Sequence, residues 1–148
     1  MLNGRDVSRL IRTEEVSRLS SVISTIPEVR RTLVSCQREM GERAAPGVVL
    51  DGRDIGTVVF PKADVKFFLT AAPEARAHRR YEEDRSKERD GATFEETLSD
   101  INTRDQRDST RDDSPLRIAD DAVVIDSTEL SIDGVCERMM EVIRERKL

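Results

Sequence analysis

The chain has 148 residues, room for one domain with a real core. Charged residues make up 37% against 36% hydrophobic, and the net charge of −5 argues against a general polyanion binder. Four Phe, one Tyr and no Trp leave few stacking platforms for single-stranded nucleic acid, and no apolar stretch has membrane-spanning length. Of the 25 basic residues only four are Lys (62, 66, 87 and 147), an arginine bias that fits either genomic composition or bidentate anion recognition. Cys36 and Cys136 lack metal-type spacing; a single disulfide and two free thiols are both open, and a reducing cytoplasm favours thiols. His78 stands alone within Ala-His-Arg-Arg, so a surface or packing role outweighs a ligand role and no metal set is read. No signal peptide is visible, and a soluble cytoplasmic protein is expected.

Leu2-Asn3-Gly4 reads as a short strand or turn. Thr13 is placed to cap a helix carrying Val16, Leu19, Ile23 and Ile26 as one apolar stripe. Pro27 opens a second helix with Val29, Leu33, Cys36 and Met40, and Gly41 is the expected stop. After a linker over 42–47, short continuous apolar runs predict buried parallel strands at 48–50, 58–60, 65–69 and 122–125. Helices intervene, which predicts an α/β layer fold. Pro73 starts one of them, running to about Lys87, with a charged, exposed and mobile end over 82–91. Thr93 and Glu96 form a capping box ahead of Phe94, Leu98 and Ile101, and Ser131 caps a final helix bearing Ile132, Val135, Met139, Val142 and Ile143.

Two segments carry chemistry. Asp51-Gly-Arg-Asp-Ile-Gly56 follows the run 48–50, where open α/β sheets bind ligands. Its glycines permit close backbone approach and Arg53 is a rigid fork for an oxyanion, although a solvated turn explains these six residues equally well. The second is the row Arg104, Arg107, Arg111, which a continuous helix ended by Ser114-Pro115-Leu116 puts on one face, with Asp105, Asp108 and Asp112 one residue around. Arg104–Asp108 fits an i,i+4 ion pair. Arg107–Arg111 and Asp108–Asp112 would be like-charge pairs, each costing a few tenths of a kcal/mol, roughly 0.2–0.5. A solvated helix would interleave its signs otherwise, so the row favours an anion with several oxygens.

Taken in order, D-G-R-D-I-G-T-V-V-F-P, V-K-F-F-L-T, A-H-R-R, the arginine row, V-I-D-S-T and the early I-R-T-x-E-V make the chain resemble bacterial cytidylate kinase, of the P-loop nucleoside monophosphate kinase group. The resemblance covers nearly the whole chain and implies a parallel-sheet, three-layer α/β fold. It implies that residues 1–45 are the remainder of a helical monophosphate-binding insert. Residues 46–148 would be the α/β core, with a lid at about 80–113 whose part from 80 to 91 closes over the nucleotides. It implies that Ser21 and Arg30 read the cytosine, that Arg53 holds the CMP phosphate and that Asp54 contacts the base. Arg104 and Asp108 match residues on the sugar and phosphate side, Arg111 an arginine reaching the transferring phosphate, and Arg107 a family arginine of less defined role. CMP or dCMP is the implied substrate, with ATP and magnesium as the implied cofactors and no nucleic acid or membrane partner.

One part of the family pattern does not occur. None of the seven glycines (4, 41, 47, 52, 56, 91, 134) is followed by Lys, so these residues contain no Gly-Lys-[Ser/Thr] loop to cradle ATP phosphates and ligate magnesium. The first strand and first helix of the fold are likewise expected to be missing, and Met1 is read as an internal or alternative start or as the product of a truncated or split gene. The chain alone is then expected to be inactive and to expose an apolar sheet edge, inviting self-association or an N-terminal complementing segment. Three readings stand: part of a cytidylate kinase, a non-catalytic pyrimidine-nucleotide-binding module, and an interaction domain whose arginine face binds an acidic partner.

Overall fold

A computed structural model describes residues 1–86 and 92–146. The chain divides into two compact units, one comprising Met1–Leu50 with Arg111–Asp113 and the other Asp51–Thr110 with Ser114–Leu148.

The first unit opens on a tight turn. Leu2 and Arg5 exchange both backbone hydrogen bonds, at 2.8 and 2.9 Å, and Asn3 and Gly4 between them have φ of 49° and 79°. Two central residues of positive φ are what a two-residue hairpin turn demands, and Asn-Gly meets it at least strain. Helix α1 (Glu14–Ile23) begins at Thr13, whose hydroxyl accepts from the Val16 amide. Ile26 falls beyond its end, and Val16, Leu19, Val22 and Ile23 all remain exposed. Helix α2 (Pro27–Glu42) has Pro27 in its first turn, where a missing amide hydrogen costs nothing. Gly41 does not stop it: the helix runs through that residue and caps at Arg43 with φ of −86°, so no left-handed residue is called upon.

Two of the four predicted strands are not strands. Val48–Leu50 has no sheet assignment, and Val49 is fully exposed. Ile55–Val59 coils into a single π-helical turn: the Asp54 carbonyl accepts from the Val58 amide at 2.8 Å and the Ile55 carbonyl from Phe60 at 2.7 Å. A short apolar run has no period to separate strand from helix, and here local carbonyls supplied the hydrogen bonds first. The turn buries Val59.

The other two strands form in the second unit, β1 (Phe67–Thr70) and β2 (Val123–Asp126), each a little C-terminal to its predicted span. They pair in parallel, with Phe67 opposite Val123 and Thr70 opposite Asp126. Parallel neighbours require a crossover, provided here by α3 (Pro73–Ser86) and α4 (Phe94–Thr110), and α5 (Ile132–Glu145) follows β2. The fold is therefore α/β. Its small core holds Val59, Ala71, Ala77 and Ile125. Phe94 of α4 packs on α3 against His78 and, edge-on, Tyr81, with ring centroids 5.5 and 6.4 Å apart. His78 is exposed, both cysteines are free thiols, and among the described residues no helix is long and apolar enough to cross a membrane. Of the charged segment expected over 82–91, residues up to Ser86 are helical, while 87–91 lie outside the described residues.

The capping box and the Ser131 cap behave as local chemistry dictates. The Glu96 carboxylate accepts from the Thr93 amide at 2.7 Å, and the Thr93 hydroxyl accepts from the Glu96 amide at 3.2 Å. Ser131 does the same for Gly134 at 3.1 Å. The Thr93 amide and hydroxyl hold the Glu96 carboxyl below its ordinary value. A lowered folded-state pKa stabilises fully above the ordinary value of 4.5 and ceases to stabilise as pH falls through the lower one. Thr93→Ala is expected to cost about 1 kcal/mol in urea unfolding at neutral pH, while the Thr93 amide keeps holding the Glu96 carboxylate. A variant as stable as the parent would contradict the capping role of the Thr93 hydroxyl.

Candidate functional site

The Asp51–Gly56 loop is shaped by what its glycines let through. A Cβ on Gly52 would sit 2.8 Å from Ile55 Cγ1, and one on Gly56 would press at 3.2 Å on the Lys66 side chain. Both glycines are therefore close-approach positions. Lys66, which the sequence reading passed over inside a strand, is buried and donates to the Pro61 carbonyl at 2.6 Å and to Asp121 at 2.7 Å. The loop thus packs on a fixed lysine stem.

Arg53 leaves this loop toward α4. Its Nε lies 3.4 Å from Asp108 Oδ2 and its Nη1 3.7 Å from Asp105 Oδ1, with 38% of its side chain exposed. Asp108 is almost fully buried and also faces Arg104 Nε at 3.8 Å, the i,i+4 pair expected from spacing. Asp105 Oδ2 meets Arg76 Nη1 at 2.6 Å, and Arg76 Nε donates to the Ala71 carbonyl at 3.1 Å, just beyond β1. Arg53, Arg76 and Arg104 therefore alternate with Asp105 and Asp108 in one cluster. Its position follows the rule that parallel sheets present ligand sites at strand carboxyl ends.

The arginine row does not form as predicted. Helix α4 ends at Thr110, so Arg104 and Arg107 share it while Arg111 lies past its end. The hydroxyls of Ser109 and Thr110 donate back to the Asp105 and Gln106 carbonyls one turn earlier, side-chain bonds that weaken a helix end. The Leu116 amide then closes back on the Asp108 carbonyl at 2.7 Å, and Ser114 has φ of 52°. Because the helix ends at Thr110, Arg107–Arg111 and Asp108–Asp112 do not form like-charge pairs within it.

The other expected site residues divide between the units. Asp54 starts the π turn, its carbonyl accepting from that turn's amides. In the first unit Arg30 is buried, its Nη1 donating to the Ser24 carbonyl at 3.2 Å and its Nε 3.9 Å from Asp113. Ser21 sits one turn before Ser24, whose hydroxyl donates to the Ser21 carbonyl. Arg111 groups with this first unit.

Three further residues escaped the sequence reading. Arg76 and Asp105 gave only the signal of another charge on a helix. Arg79 donates to the Ser127 hydroxyl and carbonyl and to the Thr128 and Leu130 carbonyls, tying α3 to the turn after β2. In that turn the Thr128 hydroxyl and amide both donate to Asp126 and hold its carboxyl below the ordinary value. Removing the Arg79 fork would leave three carbonyls without this donor. Arg79→Ala is expected to lower stability by about 2 kcal/mol in denaturant unfolding.

The cytidylate kinase family profile matches residues 1–145. This chain belongs to the cytidylate kinase family. It is 52% identical over 147 residues to the cytidylate kinase of Syntrophotalea carbinolica, which covers 99% of this chain and 61% of that protein. It is 53% identical over 146 residues to that of Solibacter usitatus, and 51% identical over 145 residues to that of Geobacter sulfurreducens. The chain spans 61–62% of the length of these relatives. The family implies ATP and magnesium. Among the described residues no three His, Cys, Asp or Glu side chains are grouped to hold a metal, and no glycine in the chain precedes a lysine. The donor set in these residues does not by itself fit an ATP–magnesium site.

Proposed function

We propose that these residues form the monophosphate-accepting side of a cytidylate kinase, binding CMP or dCMP for phosphoryl transfer from ATP. The observation that carries the reading is Arg53, a half-exposed guanidinium at the end of a glycine-shaped loop, flanked by Arg76 and Arg104. Its ion-pair distances are long, so its fork stays open to a phosphate. Family membership supports assigning the phosphate to Arg53, the base to Asp54, Ser21 and Arg30, and the sugar and phosphate side to Arg104 and Asp108. Arg107 and Arg111 are read as further phosphate-side arginines. In such a reaction these side chains bind, orient and neutralise charge; they need no covalent chemistry. Buried polar groups such as Arg30 discriminate bases because a mismatched base leaves them unsatisfied. Cytoplasmic operation and a complementing segment carrying the ATP site belong to the same reading.

Calorimetry with CMP, UMP and AMP tests it. CMP is expected to bind at least about tenfold more tightly than the other two. Equal indifference to all three would overturn the nucleotide reading and leave an acidic partner as the occupant of the arginines.

A further inference from the structure

We infer that Arg76 is a positioning residue for the phosphate-binding arginine, acting through Asp105; this rests on the reading of Arg53 as the phosphate ligand. The two oxygens of Asp105 face different arginines at different ranges. Oδ2 is ion-paired with Arg76 Nη1 at 2.6 Å, whereas Oδ1 stands 3.7 Å from Arg53 Nη1, beyond hydrogen-bond reach. Arg76 is itself fastened, since its Nε holds the carbonyl of Ala71, a buried residue immediately after β1. It therefore uses two nitrogens of one planar fork to tie the strand end to α4, a geometry that a lysine ammonium does not reproduce.

The consequence concerns competition. A carboxylate and a phosphate seek the same edge of a guanidinium, with two parallel hydrogen bonds. Asp105 is the carboxylate placed to take that edge of Arg53, and Arg76 is what holds it off. Charge points the same way. Arg53, Arg76 and Arg104 against Asp105 and Asp108 leave one net positive charge in the cluster, and without Arg76 there is none. Arg76 thus keeps Arg53 both geometrically open and electrostatically attractive to a dianion, without touching the ligand.

The test is calorimetry of the full chain and its R76M, D105N and R76M/D105N variants, with CMP and with cytidine, which lacks the phosphate. R76M is expected to weaken CMP binding about tenfold, the scale of one charge-assisted hydrogen bond, with cytidine binding unchanged. Adding D105N is expected to restore most of that loss, so the substitution gains more affinity in the R76M background than alone. Unchanged CMP affinity in R76M, equal losses for CMP and cytidine, or a double variant as weak as R76M would each overturn the inference. Should R76M fail to show a folding transition, R76K with and without D105N reads the same contrast. A parent chain that binds CMP no better than cytidine overturns the phosphate role of Arg53 itself. Preference for CMP with an indifferent R76M removes only the role of Arg76.

Discussion

Replacing Arg53 with methionine is expected to lower CMP affinity about a hundredfold while moving the unfolding free energy by no more than about 1 kcal/mol. The asymmetry follows from its contacts. In the free chain Arg53 faces Asp108 at 3.4 Å and Asp105 at 3.7 Å with over a third of its side chain exposed, and ion pairs of this kind contribute little. Asp108 retains Arg104 when Arg53 is removed, so its buried carboxylate is not left facing apolar surroundings alone. A phosphate, by contrast, takes two charge-assisted hydrogen bonds from the fork. At about 1.5 kcal/mol each these amount to roughly two orders of magnitude in affinity. Calorimetry and urea unfolding on the same sample separate the two quantities. A collapse of stability, with affinity reduced only by the unfolded fraction, would make Arg53 a structural residue.

Incubated with ATP, magnesium and CMP, the 148 residues by themselves are expected to form no CDP above background in a coupled assay. Phosphoryl transfer depends on placing the donor and neutralising charge on it, and single groups that do so are worth about a thousandfold or more. The chain contains no Gly-Lys pair to clamp a triphosphate, and the described residues offer no acidic trio for a metal. CMP binding and transfer are thus separable: the first is expected, the second is not. Turnover near the 1–100 per second typical of kinases would show that donor binding is met by other residues.

How much of this could be read beforehand depended on range. Helix starts at Thr13, Thr93 and Ser131 were legible because a cap and its amide lie three residues apart, and the one at Pro27 because proline suits a first turn. The strands at Phe67–Thr70 and Val123–Asp126 were legible as apolar runs between helices. The run at 58–60 was not, since nothing in its composition separates a strand from the π turn begun at Asp54. The end of α4 was misplaced because Pro115 was taken as the stop, whereas the chain turns at Ser114 and the Leu116 amide takes the Asp108 carbonyl that a longer helix would give to Asp112.

The sequence by itself determined the family, the α/β class and the two segments that carry charge chemistry. Ordered motifs and capping residues are properties of the chain written out in line. Only the tertiary structure decided which charges meet: that Asp105 belongs to Arg76 more than to Arg53, that Asp108 is buried between two arginines, and that Arg111 leaves the helix its spacing promised. Helical periodicity places residues on a face, but a guanidinium's partner is set by what another element brings within hydrogen-bond reach, and that distance is not encoded in spacing along one helix.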